Sequence, residues 1–589
     1  MFKVFYTFFA VLILLNISIS QAQVESKNGP YGGMVYSLNK YENSLLAGTN
    51  MGVYRSTNNG KTWEKNHYLK NKTVRTIVND GKNIYARTLK DFYISANDGV
   101  VWIEINKGIK SDNVYTMYSF NGEVYAAEKN AVYKFDLNSD TWNIASPVLP
   151  EGEQIQSLCA NNDFLFVITL SGNLYRVKKN NDAWEKMLQG FYARYDNVFY
   201  VNGNGIYLAC NKGLIRSSDN FSTTSLVYSQ SCNSVAVKDN FMITSSFGNG
   251  VSVSTDNGNT WNTAKTLNEK YYCALISEKT FFAGSWMGGI MASDNNGVNW
   301  YNSSRGMDAA NLNKVFYYDG KLFCSATGIG LLRSENLGVD WIEINNGLKT
   351  SIINEIFIHN KKLMLGTNKG IYVSPNFGIV WEQVNKGLPD NFNVNTFLNY
   401  DDYLFIGGKG LYFIKGDSKE WISALGNLPK ETEVLCFLQV DKKIIVGTKD
   451  GIWYSTNLGK FWEKVISDMK KYTEVRSIAK SNDFLLASTL SGIFSSPDLG
   501  KNWRIVKNSF SDYGELLTFD NNLIYTKGLM HSVDNGRSWT SKGELFKEYL
   551  DEYNEIVFVN SMIIIKDFAY ITITSGALYT IPTAVLFAQ

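Results

Sequence analysis

Apolar and polar residues alternate along this chain in short runs separated by turn-forming residues. Stretches such as VRTIVNDGKNIY and VRSIAKSNDFLL have period two, which predicts half-buried strands rather than helices. An apolar run, a short loop, a glycine and another alternating run follow, as in SLLAGTNMGVYRS, KLMLGTNKGIYVS, KIIVGTKDGIWYS and FLLASTLSGIFSS. An octapeptide, Ser-x-(Asn/Asp)-x-Gly-x-x-Trp, closes the unit and leads into a last strand. Each unit therefore predicts four strands, A to D. The octapeptide is the C–D hairpin and the GTNxG segment is the B–C loop.

The first octapeptide is carried by Ser56, Asn58, Gly60 and Trp63. Its Asn/Asp and Trp recur as Asn97 and Trp102, Asp256 and Trp261, Asn295 and Trp300, and Asn336 and Trp341. They return as Asn376 and Trp381, Asn457 and Trp462, Asp498 and Trp503, and Asp534 and Trp539. Degenerate copies end at Trp142, Trp184 and Trp421, and one starting at Ser217 has lost both Gly and Trp. The interval of about 40 residues is that of a four-stranded propeller blade. The motif is mechanical: the Asn or Asp side chain bonds nearby backbone N–H groups, Gly permits a positive φ, and Trp buries a large apolar area.

A final unit, residues 555–582, has apolar runs IVFV, MIIIK and YITIT but no Trp, and is expected to be a true blade. It brings the count to fourteen. One propeller usually holds about 4–8 blades, so the expected fold is all-β: two tandem seven-bladed β-propellers. The first ring is placed at 23–304 and the second at 305–589, dividing near Arg305; one larger ring is the alternative.

Composition fits many short strands: 35 Tyr, 34 Phe, 14 Trp and 48 Gly against 8 Pro in 589 residues. The net charge of +2 gives no reason to expect nucleic acid or an anionic membrane as partner. At the N-terminus Lys3, an apolar run from Phe5 to Leu15, and small residues up to Ala22 read as a signal peptide, residues 1–22. The run is shorter than the ~20 residues of a spanning helix, so a secreted, periplasmic or cell-surface protein with no transmembrane segment after cleavage is expected. No Cys follows the cleavage site, which argues against a lipid anchor. Cys159, Cys273 and Cys436 lie in apolar runs and read as buried free thiols. Cys210 and Cys232 sit in neighbouring repeats, and their pairing is left open.

The octapeptide resembles the Asp-box, or bacterial neuraminidase repeat. Asp-box propellers include sialidases, sortilin-type receptors, photosystem assembly factors and tandem-propeller xyloglucanases. The last resemble this chain most in architecture, and the resemblance implies catalytic Asp residues in the B–C loop of the first blade of each ring. Here Asn50 stands at the first position and Gly328 or Ile329 at the second. Glycoside hydrolysis needs one group to protonate the leaving oxygen and another to activate water or attack; an amide and a glycine do neither. The Phe/Tyr-Arg-Ile-Pro motif of sialidases is absent. His67, His359 and His531 are dispersed, without metal-ligand spacing, and no P-loop or nucleophile elbow occurs. No metal or cofactor is expected. Type IX-secreted proteins resemble the chain in their repeats but carry a C-terminal sorting domain, for which the sequence after the last repeat leaves no room.

These readings favour a non-catalytic, exported binding or scaffolding protein, expected to be a monomer, with a glycan or protein ligand at the B–C loop face. A hydrolase with relocated carboxylates, and a receptor-like or assembly-factor propeller, are the alternatives. Candidate ligand residues at that face are Asn50, Trp286, Lys369, Lys409, Lys449 and Lys527. The four lysines suggest a basic rim on the second ring, diluted by Asp450.

Overall fold

The computed structural model describes residues 24–588 except 28, 111–113, 180–182, 196–197, 204, 265, 267, 269, 417, 468–472, 507–513, 521, 551–555 and 575. The signal segment expected at 1–22 lies outside them. The described residues form fourteen sheets, nearly all of four antiparallel strands in the order A-B-C-D. Among them no helix is long and apolar enough to cross a membrane.

The chain divides into two compact units, and each is a ring of seven blades. The first holds blades 1 (35–65), 2 (74–104), 3 (114–144), 4 (155–189), 5 (199–228), 6 (234–263) and 7 (271–302). Its inner strands Val35–Tyr41 and Tyr271–Ser277 pack side by side, which closes the ring. The second holds blades 8 (312–343), 9 (353–383), 10 (394–423), 11 (434–464), 12 (475–505), 13 (516–541) and 14 (559–582).

The division falls at Asn311/Leu312 rather than near Arg305. The Arg305 carbonyl accepts the backbone N–H of Trp63 at 2.8 Å, which ties it to blade 1. At the other end, Glu25–Ser26 pairs with Leu578–Pro582 as the outer strand of blade 14. Residues up to Pro30 therefore go with the second ring, not the first. Blade 14 supplies only three strands of its own: the run MIIIK falls in the inner strand Val559–Ile565, which IVFV enters only at Val559.

Each intact octapeptide is organised by its serine. In blade 9, Ser374 Oγ accepts the Gly378 N–H at 2.9 Å and donates to Asn376 Oδ1 at 2.8 Å. Asn376 Oδ1 also accepts the Val380 N–H, and the same pattern holds around Ser56 and Asn58. The residue before Gly, Phe377 here, has φ 56°, a left-handed conformation that strains any Cβ. Gly378 itself has φ 89°, and a Cβ there would collide with Ile344 of the preceding blade, so that glycine is required twice over.

Trp side chains then weld neighbours together. Trp381 Nε1 donates to Ile344 O at 2.7 Å, Trp142 to Ile105 O at 2.7 Å, and Trp462 to Ala424 O at 2.9 Å. In each case the acceptor follows the outer strand of the preceding blade. All six cysteines are free thiols, Cys210 and Cys232 included; five are buried and Cys436 is partly exposed.

Candidate binding face of the first ring

Most inner strands begin with a β-bulge. The register slips between Val35 and Ser37 in blade 1, Val74 and Thr76 in blade 2, and Tyr271 and Cys273 in blade 7. The skipped residues are Tyr36, Arg75 and Tyr272. A bulge frees a side chain from strict alternation and re-aims it, and these three meet. The rings of Tyr36 and Tyr272 lie 5.1 Å apart, and the Arg75 guanidinium stands 4.2 Å from the Tyr36 centroid.

Loops on the same face extend the cluster. Tyr195, entering blade 5, meets Tyr272 edge-on at 4.8 Å. Phe247, in the B–C loop of blade 6, lies 5.9 Å from Tyr272 and 6.0 Å from Trp286 of the blade 7 B–C loop. The Lys270 ammonium stands 4.2 Å from the Trp286 ring, and Arg194 stands 5.6 Å from Phe247. Tyr36, Tyr195, Phe247 and Trp286 are all partly exposed. Burial, then the neighbouring Tyr36 and Tyr195, raise the Tyr272 pKa, so its hydroxyl stays neutral. The result is an aromatic surface edged by three cations, each ring combining an apolar face with polar or charged neighbours.

Asp308 and Asp91, both in loops of the first ring, are engaged by neighbours. Asp308 accepts from the Tyr54 hydroxyl and pairs with Lys65 at 3.4 Å. Asp91, in the B–C loop of blade 2, pairs with Lys72 at 3.5 Å and accepts from Asn106 Nδ2 at 3.0 Å. Asn50 is buried and exchanges hydrogen bonds with Met34: its Oδ1 accepts the Met34 N–H at 3.2 Å and its N–H donates to Met34 O at 3.3 Å. It is placed as a loop fastener. At the second position Ile329 is buried and Gly328 has φ 84°.

The second ring uses its bulges differently. Asn354, Asn395 and Asn560 each donate to the first carbonyl of the next inner strand, Val394, Val434 and Leu312, at 2.7–3.0 Å. They sew blades together. Of the four lysines, Lys449 is held at 2.7 Å by Glu433, whose hydrogen bond raises its pKa. Lys369 donates to Lys349 O at 3.1 Å, and Lys527 lies 5.0 Å from the Phe558 ring. Lys409 is exposed, beside Glu433 through its backbone. The structure brings Trp286 into the aromatic cluster and leaves the lysines in separate local contacts.

Residues 54–65 and 371–384 match models of the BNR/Asp-box repeat. Asp-box repeats are thus present in both propellers. No curated protein sequence matches the chain. Among solved structures it is similar to the GH74 enzyme of Niastella koreensis, at 13% identity over 96% of this chain and 99% of that one, TM-score 0.57. It is similar to an ancestral GH74 enzyme at 14% identity, over 95% and 98% of the two chains, TM-score 0.52. The GH74 xyloglucanase of Xanthomonas campestris aligns at 12% identity over 95% and 99%, TM-score 0.45. At such identities the likeness is one of fold.

Proposed function

We propose that this Asp-box propeller is an exported, non-catalytic glycan-binding protein and that the ligand lies on the aromatic face of the first ring. The observation that carries the reading is the convergence of Tyr36, Tyr195, Phe247, Tyr272 and Trp286 with Arg75, Arg194 and Lys270. Flat apolar rings suit the C–H faces of sugars, and the cations and hydroxyls suit their oxygens. A few polar groups on an aromatic lining is the usual make-up of a small-ligand site. Ring faces outnumber the cations in the cluster, so a neutral polysaccharide held by stacking is the first choice. The GH74 enzymes solved on this fold make plant and microbial polysaccharides the first ligands to try. Export rests on the N-terminal sequence.

The non-catalytic part of the reading is supported by Asn50 and by Gly328 or Ile329 at the carboxylate positions and by the ion-paired state of Asp91 and Asp308. The test is to incubate the mature protein with a polysaccharide panel, following both retention in affinity gels and release of reducing ends. Retention without new reducing ends is the expected result. Robust hydrolysis overturns it in favour of a relocated catalytic pair, and the absence of any retention overturns the glycan assignment in favour of a protein ligand.

A further inference from the structure

An Asn–Gly pair is a chemical weak point in a chain. The backbone nitrogen of the second residue can attack the side-chain amide carbon of the first. Glycine has no Cβ to block the approach or to stiffen the main chain. What holds the two residues decides the rate, and this fold sets such pairs in two kinds of place.

Asn59–Gly60, Asn257–Gly258, Asn296–Gly297 and Asn535–Gly536 lie inside Asp-boxes. In all four the glycine N–H donates to the box serine. Gly60 meets Ser56 Oγ and Gly258 meets Ser254 Oγ at 2.9 Å, while Gly297 meets Ser293 Oγ and Gly536 meets Ser532 Oγ at 3.0 Å. The four asparagines share a left-handed backbone, with φ between 54° and 61°. The bond that builds the turn thus ties up the attacking nitrogen. A neighbouring blade also grips two of the side chains: Asn59 Nδ2 donates to Thr280 Oγ1 at 3.2 Å, and Asn535 Oδ1 accepts from Ser481 Oγ at 2.9 Å.

Asn249–Gly250 has no such serine bond. It lies in the B–C loop of blade 6, within Phe247-Gly248-Asn249-Gly250. Among the described residues nothing accepts the Gly250 N–H, although its carbonyl accepts the Ser246 N–H at 2.8 Å. Asn249 is exposed. Its Nδ2 reaches Ser231 O at 3.4 Å and its N–H reaches Ser246 Oγ at 3.3 Å, both longer than the usual limit of about 3.2 Å. There is room to move: a Cβ on Gly248 would meet nothing within 4 Å, and one on Gly250 would first reach Ala264 O at 4.0 Å.

We propose that Asn249 is a site of spontaneous deamidation on the candidate face of the first ring, and that the Asp-box turn protects its own Asn–Gly pairs from the same reaction. The Gly250 nitrogen gives up its proton and bonds to Asn249 Cγ. The Cγ–Nδ2 bond breaks, and the leaving amide takes up that proton and departs as ammonia. The succinimide left behind takes up one water. Opening at Cγ gives aspartate, and opening at the Asn249 main-chain carbonyl gives the β-linked isomer, whose main chain is one atom longer. Either product puts a carboxylate two residues from Phe247. The reaction needs only water, whatever the face binds.

The test is to hold the full mature chain in mildly alkaline buffer and follow the peptide around each pair by mass spectrometry, which reads the change from amide to acid. Asn249 should convert at least tenfold faster than Asn59, Asn257, Asn296 or Asn535 of the same molecules. In the chain unfolded by urea, where no serine bond remains, the five rates should come together. Ser254→Ala frees the Gly258 N–H, so it should raise the rate at Asn257 at least threefold and leave Asn249 unchanged. If that variant does not melt cooperatively, the wild-type rates in buffer and in urea decide the question. No conversion at Asn249, equal native rates at Asn249 and the box pairs, a difference that persists undiminished in urea, or a folded Ser254→Ala in which Asn257 is as slow as before overturns the proposal.

Discussion

Ser26 pairs with Tyr579 in antiparallel register, so residues from the start of the described chain complete its last blade. Lys27 N–H donates to Leu578 O at 2.7 Å, Tyr549 Oη to Val24 O at 3.2 Å, and Val24 packs in the same cluster as Phe546 and Leu586. Without this strand, Leu578–Pro582 becomes an unpaired edge. Removing residues 24–29 is therefore expected to lower the melting transition of the second ring by several degrees, on the order of 1–3 kcal/mol. The first ring should be unaffected. Calorimetry that resolves two transitions checks this; equal shifts in both, or none, contradict it.

Two box tryptophans of the second ring differ in their indole hydrogen bond. Trp341 Nε1 is buried without a partner among the described residues, whereas Trp381 Nε1 donates to Ile344 O at 2.7 Å. Trp63, Trp142, Trp421 and Trp462 likewise reach a carbonyl that follows the outer strand of the preceding blade, whereas Trp102, Trp300, Trp503 and Trp539 donate to the glycine carbonyl of their own box. A phenyl ring in place of indole loses similar packing at both sites, but a hydrogen bond at only one. Trp381→Phe should cost about 1 kcal/mol more than Trp341→Phe in urea unfolding. Equal costs would show that the carbonyl contact contributes nothing.

The strand pattern, the octapeptide and the blade count were all legible because each box residue has a local role: Ser, Asn and Gly set a turn, and Trp fills the seam beside it. The outer strand of blade 14 was not, because Glu25 and Ser26 lie outside any repeat and find their partners through ring closure. The aromatic face was also hidden. Trp286 stood out as a Trp in a B–C loop, but Tyr36, Arg75 and Tyr272 read as ordinary strand residues in VYS, VRT and YYC. Only the register slip at each inner strand turns them outward from the alternation. The lysines of the second ring were visible as a row, but whether Glu433 would neutralise Lys449 depends on an inter-strand contact that spacing along the chain does not report.

Blades 3 and 4 share an ion cluster that makes stability pH-dependent. Burial alone would raise the Glu123 pKa, but hydrogen bonds from Lys134 at 2.5 Å, Lys179 at 2.7 Å and Tyr125 at 2.6 Å lower it to about 2. A carboxylate depressed from its ordinary 4.5 stabilises the fold fully above that value, and its contribution is lost as pH falls toward 2. Glu123→Gln should therefore narrow the drop in urea midpoint between pH 5 and pH 2.5 relative to wild type. An unchanged acid slope would show that the cluster does not couple to folding.

The glycan reading makes its sharpest claim at Trp286 and Lys270, because both are partly exposed and neither anchors a strand core. The ammonium lies 4.2 Å from the indole, close enough to fix the ring's tilt at an exposed site for about 0.5–1 kcal/mol. Trp286→Ala removes a stacking face outright and is expected to weaken polysaccharide retention at least tenfold, about 1.4 kcal/mol. Lys270→Met keeps the aliphatic stem but removes the charge, so the ring loses its orientation rather than its surface, and the loss should be two- to fivefold, up to about 1 kcal/mol. Melting temperatures should move little in either variant. The order of the two effects is the discriminating result. If the binding of a neutral polysaccharide falls more in Lys270→Met than in Trp286→Ala, charge rather than stacking holds the ligand, and the face is better matched to an anionic partner than to a neutral glycan.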